Sequence, residues 1–385
     1  MVSTLRIRDT ERLVRSSEDG ATYCASFIAT VFSVPLCLCG EIIYPSQMDV
    51  FALTRNLIDI ESTTGQEAAV GAVLAGELTR LGYQVERMPV EGDRSNVWAT
   101  HRGHPNPELV LSTHMDTVPP FIASSETGDR IYGRGSCDAK GIIMAQIAAA
   151  EKLKGEGIHV GLLFLVGEER DSQGAQAANR QPRGARFLIN GEPTENKLAL
   201  ASKGTLRVEL IASGKMAHSA YPELGESATE KLLDALEKIR KLKLPTNPFA
   251  GPCTMNIGMI EGGRAPNVIP DYACAHLLFR LVGPAQDLRR QIAAAASGNA
   301  EARFILEIPY MEFATVPGIE TMIAAFTTDI PALPRWGKPL LIGPGSIHVA
   351  HTEGEYIEKK QLVEAIDLYA RIARALLAHD STTPA

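Results

Sequence analysis

Five short stretches place His, Asp and Glu side chains where they could hold metal ions and move protons. In STHMDTVPP, His114 and Asp116 lie two residues apart. On an extended strand that spacing puts both side chains on one face, and a metal-bound imidazole usually gives its second ring N–H to a carboxylate. A solvated turn accounts for the pair equally well. GRGSCDAKG brings Asp138 to the start of a helix, either as a metal ligand or as an N-cap. Its glycines do not spell G-x-G-x-x-G and no clean strand precedes them, so a dinucleotide loop is not supported. In VGEERD, Glu168 and Glu169 follow an apolar run. Two carboxylates at the end of a buried strand repel and lose hydration, at a cost that a cation removes. One of them would then bind metal while the other takes a proton from water; the alternative is a harmless acidic loop. INGEPTEN supplies Glu192, and GPGSIHVAHTEGEY supplies His348 and His351. His351, beside the turn Thr352–Gly354, is the better ligand; His348 suits a neighbouring strand or loop face. His114, Asp138, Glu169, Glu192 and His351 together are about what two divalent metals sharing one carboxylate require. The mixture of imidazole and carboxylate favours zinc, with cobalt as an alternative, over magnesium or calcium.

These residues need elements to carry them. The text from Met48 is regular. MDVFALTRNLIDIES has helical spacing; Thr63–Glu67 breaks the chain and restarts it as a second helix that runs to about Leu81, with Gly82 as its stop. YQVERMPV and SNVWATH read as strands. ELVLSTH, HVGLLFLVGEE and ARFLINGEP are buried strands, and KGIIMAQIAAAEKL is a helix between the first two of them. Strands alternating with helices predict an open α/β sheet. His114, Glu168 and Glu192 each follow the carboxyl end of a strand, where such sheets place their ligands.

From about Ser202 the pattern becomes strand, long amphipathic helix, two strands joined by a glycine-rich loop, helix and strand, ending with ARFILEI. This is the ferredoxin-like split β-α-β order. The predicted architecture is therefore α/β: an open mixed sheet forming a catalytic domain, 48–201 plus 309–385, with an inserted ferredoxin-like α+β domain at 202–308.

A formal net charge of −7 over 385 residues argues against nucleic acid and anionic membrane as partners. The six cysteines form no C-x-x-C pair, so zinc-ribbon and thioredoxin-like sites are not indicated, and free buried thiols in a reducing cytoplasm are expected. Cys137 reads as a small buried residue, with no histidine base identifiable beside it. Residues 1–47 stand apart: a charged stretch, then an apolar one interrupted by Pro35 and without an A-x-A-like cleavage site. The preferred reading is a start placed upstream of the true one at Met48. An export signal and a structured extension are the alternatives.

Taken in order, STHMDTVPP, GRGSCDAKG, VGEERD, INGEPTEN and AHTEGEY resemble the zinc exopeptidase and deacylase family of acetylornithine deacetylase, succinyl-diaminopimelate desuccinylase, aminoacylase and carboxypeptidase G-type enzymes. The likeness runs from about 48 to 380. It implies that Asp138 bridges two metals, that His114 and Glu192 complete one and Glu169 and His351 the other, that Glu168 is the general base and that Asp116 orients His114. It also implies a homodimer joined through the inserted domain. In GKMAHSAYPELGESA it makes His218 the group that reaches a partner's site and stabilises an oxyanion. In GGRAPNVIPDYACAHLLFR it makes Asn267 and Arg280 substrate contacts, with Arg280 a bidentate clamp for a carboxylate. Local structural roles remain open for all three: a turn cap, a loop brace and a surface ion pair. The sequence departs from the family at 1–47, at Thr352–Glu355, and at 309–340, which looks short of a helix.

The expected function is hydrolysis of the amide bond of an N-acyl amino acid, such as an acetylated or succinylated biosynthetic intermediate. Dipeptidase or carboxypeptidase action on a short peptide is the nearest alternative, and a non-catalytic metal- or ligand-binding protein the alternative of another class.

Overall fold

The computed structural model describes residues 48–378, so the readings of the first 47 residues lie outside it. Two helices open the described chain. Helix α1 (Val50–Ile58) is capped by Asp49, whose carboxylate accepts the N–H groups of Phe51 and Ala52. Helix α2 (Ala68–Arg80) ends as expected at Gly82, whose φ of +90° is a left-handed conformation that glycine adopts without strain.

The main sheet contains β1 (Tyr83–Glu91), β2 (Arg94–His101), β3 (Leu109–His114), β4 (Gly161–Leu165), β5 (Phe187–Asn190) and β10 (Lys338–Leu341), in the spatial order β1-β2-β4-β3-β5-β10. The four strands β4, β3, β5 and β10 run parallel; β1 and β2 pair antiparallel at one edge. Alternation along the strands sends side chains to two separate cores. Val97, Leu111, Leu162, Phe164 and Ile189 pack with α1, α2, α3 (Lys140–Gly155) and α7 (Lys359–Ala378). Trp98, Val110, Leu163, Leu165 and Leu188 pack on the other face, against α4 (Gln173–Arg180) and Trp336. Burial on both faces explains why these strands read as unbroken apolar runs.

The second sheet is antiparallel, with β6 (Gly204–Ser213), β7 (Thr254–Gly262), β8 (Tyr272–Leu281) and β9 (Glu301–Ile308) in the order β7-β8-β6-β9. Helices α5 (Ala228–Arg240) and α6 (Gln286–Ala296) cover one of its faces through Leu232, Leu236, Leu288 and Ile292, making a core separate from that of the main sheet. The fold is thus the expected α/β sheet carrying an inserted α+β unit. The chain order strand-helix-strand-strand-helix-strand is the predicted split unit.

Three features escaped the sequence. Helix α4 lies in a polar stretch. Leu198–Ser202 forms a small sheet with Met311–Glu312 and Thr321–Ala324, and Ser125–Glu126, Arg130–Tyr132 and Tyr356–Glu358 form another. Residues 309–340 contain strands and one short 3-10 turn, Ile330–Ala332, but no α-helix.

Candidate active site

The adjacent strands β4, β3 and β5 end side by side and carry the first three groups. His114 closes β3. The turn after β4 bends at Gly167, whose φ is +78°, and presents Glu168 and Glu169. After β5 the chain passes Gly191, where a Cβ would fall 2.3 Å from Ile142 and 2.6 Å from the Gln146 amide. Only glycine lets the backbone run this close to α3, and this close passage presents Glu192.

Asp138 comes from the loop before α3. That helix is capped at Ala139 without a side-chain bond, so Asp138 is not an N-cap. Its carboxylate instead lies 3.0 Å from His114 Nε2 and 3.3 Å from His351 Nε2. His351 stands in a turn with φ +65° and is also 2.9 Å from Glu169 Oε1. Two donor groups therefore share Asp138: His114, Asp138 and Glu192, and Asp138, Glu169 and His351, each with ligand atoms within 4.8 Å of one another. A third grouping of the same kind contains His114, Glu168 and Glu169.

The electrostatics call for positive charge. Burial, together with Asp138 and other nearby acids, pushes the Glu192 carboxyl well above its usual range, although His114 pulls it down. Burial and Glu192 do the same to Glu168. His351 is raised to about 10 by its bonds to Asp138 and Glu169. The His114 imidazole is opposed by burial, yet Asp116 and Asp138 hold it well above the ordinary range. Glu192 Oε1 is buried without a hydrogen-bond partner. An orphaned carboxylate oxygen among carboxylates whose only ion partners among the described residues are histidines is what a divalent cation would satisfy. The mixed nitrogen and oxygen donors fit zinc or cobalt better than magnesium.

Asp116 does more than face His114. His114 Nδ1 is 2.9 Å from the Asp116 carbonyl oxygen and 3.5 Å from its carboxylate. The carboxylate accepts the N–H groups of Glu168 and Glu169, each at 3.1 Å, and the Thr64 hydroxyl at 2.9 Å. It therefore braces the Glu168–Glu169 turn as well as the imidazole.

A cavity of about 700 Å³ opens over this cluster and is lined by Asp138, Glu168, Glu169, Glu192 and His351 on one side and by Arg280 on another. His218 and Asn267 are not part of its wall. Both are exposed, His218 in and Asn267 beside a two-stranded ribbon of Ala217–His218 and Val268–Ile269, where His218 pairs with Val268, Ser219 N–H donates to the Asn267 carbonyl and His218 Nδ1 accepts from Ala220 N–H. His348 is exposed in the turn before His351. Cys137 is buried, and its thiol is pushed up by burial and Glu355.

Sequence reasoning missed Asp329, which is 1% exposed. Its carboxyl is raised to about 7 by burial, with Asp116 and Glu169 adding to the shift. An acid in the apolar text FTTDIPAL was the available signal. It also missed the buried residues Arg134 and Glu355, which touch the loops of Asp138 and His351.

Residues 110–375 match the model of peptidase family M20/M25/M40. A peptidase M20 domain-containing protein of Schizosaccharomyces pombe is 39% identical over 341 residues, covering 85% of each chain. A probable carboxypeptidase of Aspergillus clavatus is 39% identical over 368 residues, covering 84% of this chain and 81% of its own. Among solved structures, the M20 family metallo-carboxypeptidase Sso-CP2 from Sulfolobus solfataricus superposes with a TM-score of 0.67 at 18% identity, covering 86% of this chain and 99% of its own. The Bacillus subtilis YXEP protein, a dinuclear metal-binding peptidase, gives 0.63 at 16% identity, covering 86% and 98%.

Proposed function

The chain belongs to peptidase family M20/M25/M40, and we propose that it cleaves the amide bond beside a free carboxylate, in an N-acyl amino acid or at the end of a short peptide. The relatives named carboxypeptidase favour the peptide. One observation supports the hydrolytic reading above the others: two donor groups share Asp138 in a cavity where Glu168 belongs to neither.

His114, Asp138 and Glu192 would hold one divalent ion, and Asp138, Glu169 and His351 the other. Bound there, zinc or cobalt supplies Lewis acidity toward a carbonyl oxygen and lowers the pKa of water. Glu168 then accepts the proton of the attacking water and returns it to the nitrogen of the leaving amine. Its raised affinity for a proton suits both transfers, and Asp116 fixes its backbone. Arg280 takes the substrate carboxylate.

His218 and Asn267 stand outside their own chain's cavity, which supports a homodimer in which both reach the site of a second copy, His218 to the developing oxyanion and Asn267 to the substrate. The division at 201/202 and 308/309 and a cytoplasmic location belong to the same reading. Cys137, Cys253 and Cys274 are free, and no helix among the described residues is long and apolar enough to cross a membrane.

The test is a screen of the metal-loaded protein against N-acetyl and N-succinyl amino acids and dipeptides. Release of the carboxyl-terminal amino acid is expected. Two bound metals per chain with no amide cleaved would favour a binding protein instead.

A further inference from the structure

The wall of the cavity that carries Arg280 is the helix-free face of the inserted sheet. Along β6, Leu206 and Val208 turn to the core with α5 and α6, and Thr205 and Arg207 turn the other way. Along β8, Leu277 and Phe279 turn inward and Leu278 and Arg280 outward. The register pairs Arg280 with Thr205 and Leu278 with Arg207. The two arginines are therefore diagonal neighbours on one face, about 7–8 Å apart at their backbones. Both line the same cavity as Glu168 and Glu169.

Neither guanidinium has a carboxylate partner among the described residues. Arg280 is partly buried and donates to the Thr205 hydroxyl at 2.9 Å. Burial without a counter-charge lowers its pKa. Arg207 is exposed to the cavity, and its guanidinium makes no hydrogen bond or ion pair with a described residue. The other charges nearby are matched. Glu307 takes Arg289 at 2.6 Å, Asp171 takes Arg170 at 3.5 Å, and Glu209, the next acid on this face of β6, lies 4.0 Å from both Arg303 and His276. Two fixed positive charges remain unmatched on the wall of a cavity whose floor is acidic.

We propose that Arg207 is a specificity residue that pairs with a second carboxylate of the substrate, so that the amino acid released is acidic, an aspartate or glutamate whose α-carboxylate sits on Arg280. This rests on the hydrolytic reading of the cavity and narrows its substrate class. One guanidinium satisfies one carboxylate in bidentate fashion. Two of them at diagonal spacing fit the two carboxylates of a single acidic residue. A neutral side chain of the same shape would leave Arg207 unpaired and gain nothing from it.

The experiment compares the metal-loaded full chain on two dipeptides that differ only in a carboxyl-terminal Glu or Gln. A charge-assisted hydrogen bond is worth about tenfold to hundredfold, and kcat/KM is expected to favour Glu by that ratio, mostly through KM. Arg207→Ala should collapse the ratio to near one, and Arg207→Glu should invert it. A ratio near one in the unmutated protein, or one that survives both substitutions, overturns the proposal while amide hydrolysis stands. Calorimetry of the metal-loaded Glu168→Gln chain, with and without Arg207→Ala, on N-acetylglutamate and N-acetylglutamine reads the same preference without turnover. If neither dipeptide is cleaved yet N-acetylglutamate binds the more tightly and Arg207→Ala removes the difference, the hydrolytic reading fails and the acidic site stands; equal affinities overturn the site.

Discussion

Arg134 and Glu355 form an ion pair of 2.6 Å with both side chains at most 2% exposed. Glu355 also accepts the N–H groups of Cys137 and Asp138, each at 3.3 Å, and Arg134 donates to the carbonyl oxygens of Thr352 at 3.1 Å and His351 at 3.4 Å. One buried pair thus ties the loop that presents Asp138 to the turn that presents His351.

Removing one member of that pair leaves a buried charge alone, which costs about 3–5 kcal/mol. Arg134→Met should therefore lower the urea midpoint sharply. The double variant Arg134→Met/Glu355→Leu removes both charges and should recover most of that stability. Its His351 turn is no longer tied, so metal per chain, read by elemental analysis, should fall below that of the unmutated protein. Full metal content in the double variant would mean that the pair serves stability alone.

Glu168→Gln keeps the size of the side chain and removes its ability to exchange a proton. Metal content and KM should hold, and kcat should fall by about 10²–10⁴. Activity within a few-fold of the unmutated protein would remove Glu168 from the role of base.

His218→Ala should leave metal content intact and lower kcat far more than it changes KM. Mixing it with Glu168→Gln separates two arrangements. If His218 serves a second copy, mixed dimers contain one site with both residues intact and activity reappears. If each chain completes its own site, no mixture recovers it.

His101, buried at the end of β2 and outside the donor cluster, gives a separate pH dependence. Burial first, then His159, Lys154 and His104, lower its pKa from 6.5 to about 4. The folded chain holds it neutral, so between those values the unfolded chain binds more protons. Its contribution to stability is complete above the unfolded value and declines as pH falls toward the folded one, by up to about 1.4 kcal/mol per pH unit. Urea midpoints at pH 7 and pH 5 should therefore differ more for the unmutated protein than for His101→Gln. Equal differences would place His101 outside this linkage.

The positions of His114, Glu168 and Glu192 were legible because strands buried on both faces leave unbroken apolar runs, and a charge at the end of such a run stands out. The inserted sheet was legible through the alternation of Leu206, Val208 and Leu210 and the apolar stripe of α5. Asp138 was ambiguous in sequence, since an acid before a helix suits a cap as well as a metal; the start of α3 carries no side-chain cap, and Asp138 lies 3.0 Å from His114 in the donor cluster. Arg134 and Glu355 were invisible because 221 residues separate them and nothing local marks either one. The same holds for the bond that the Glu168 N–H donates to the Asp116 carboxylate, and for Arg207, whose meaning depends on which strand lies beside it.

The floor of the cavity and its arginine-bearing wall belong to different sheets with different cores. A substitution on the open face of β6 or β8 can alter what is held without disturbing the carboxylates and histidines beneath. Selection can therefore act on appetite and on chemistry independently: a lineage can exchange one diet for another at positions such as 207 while inheriting the bond-breaking machinery unchanged.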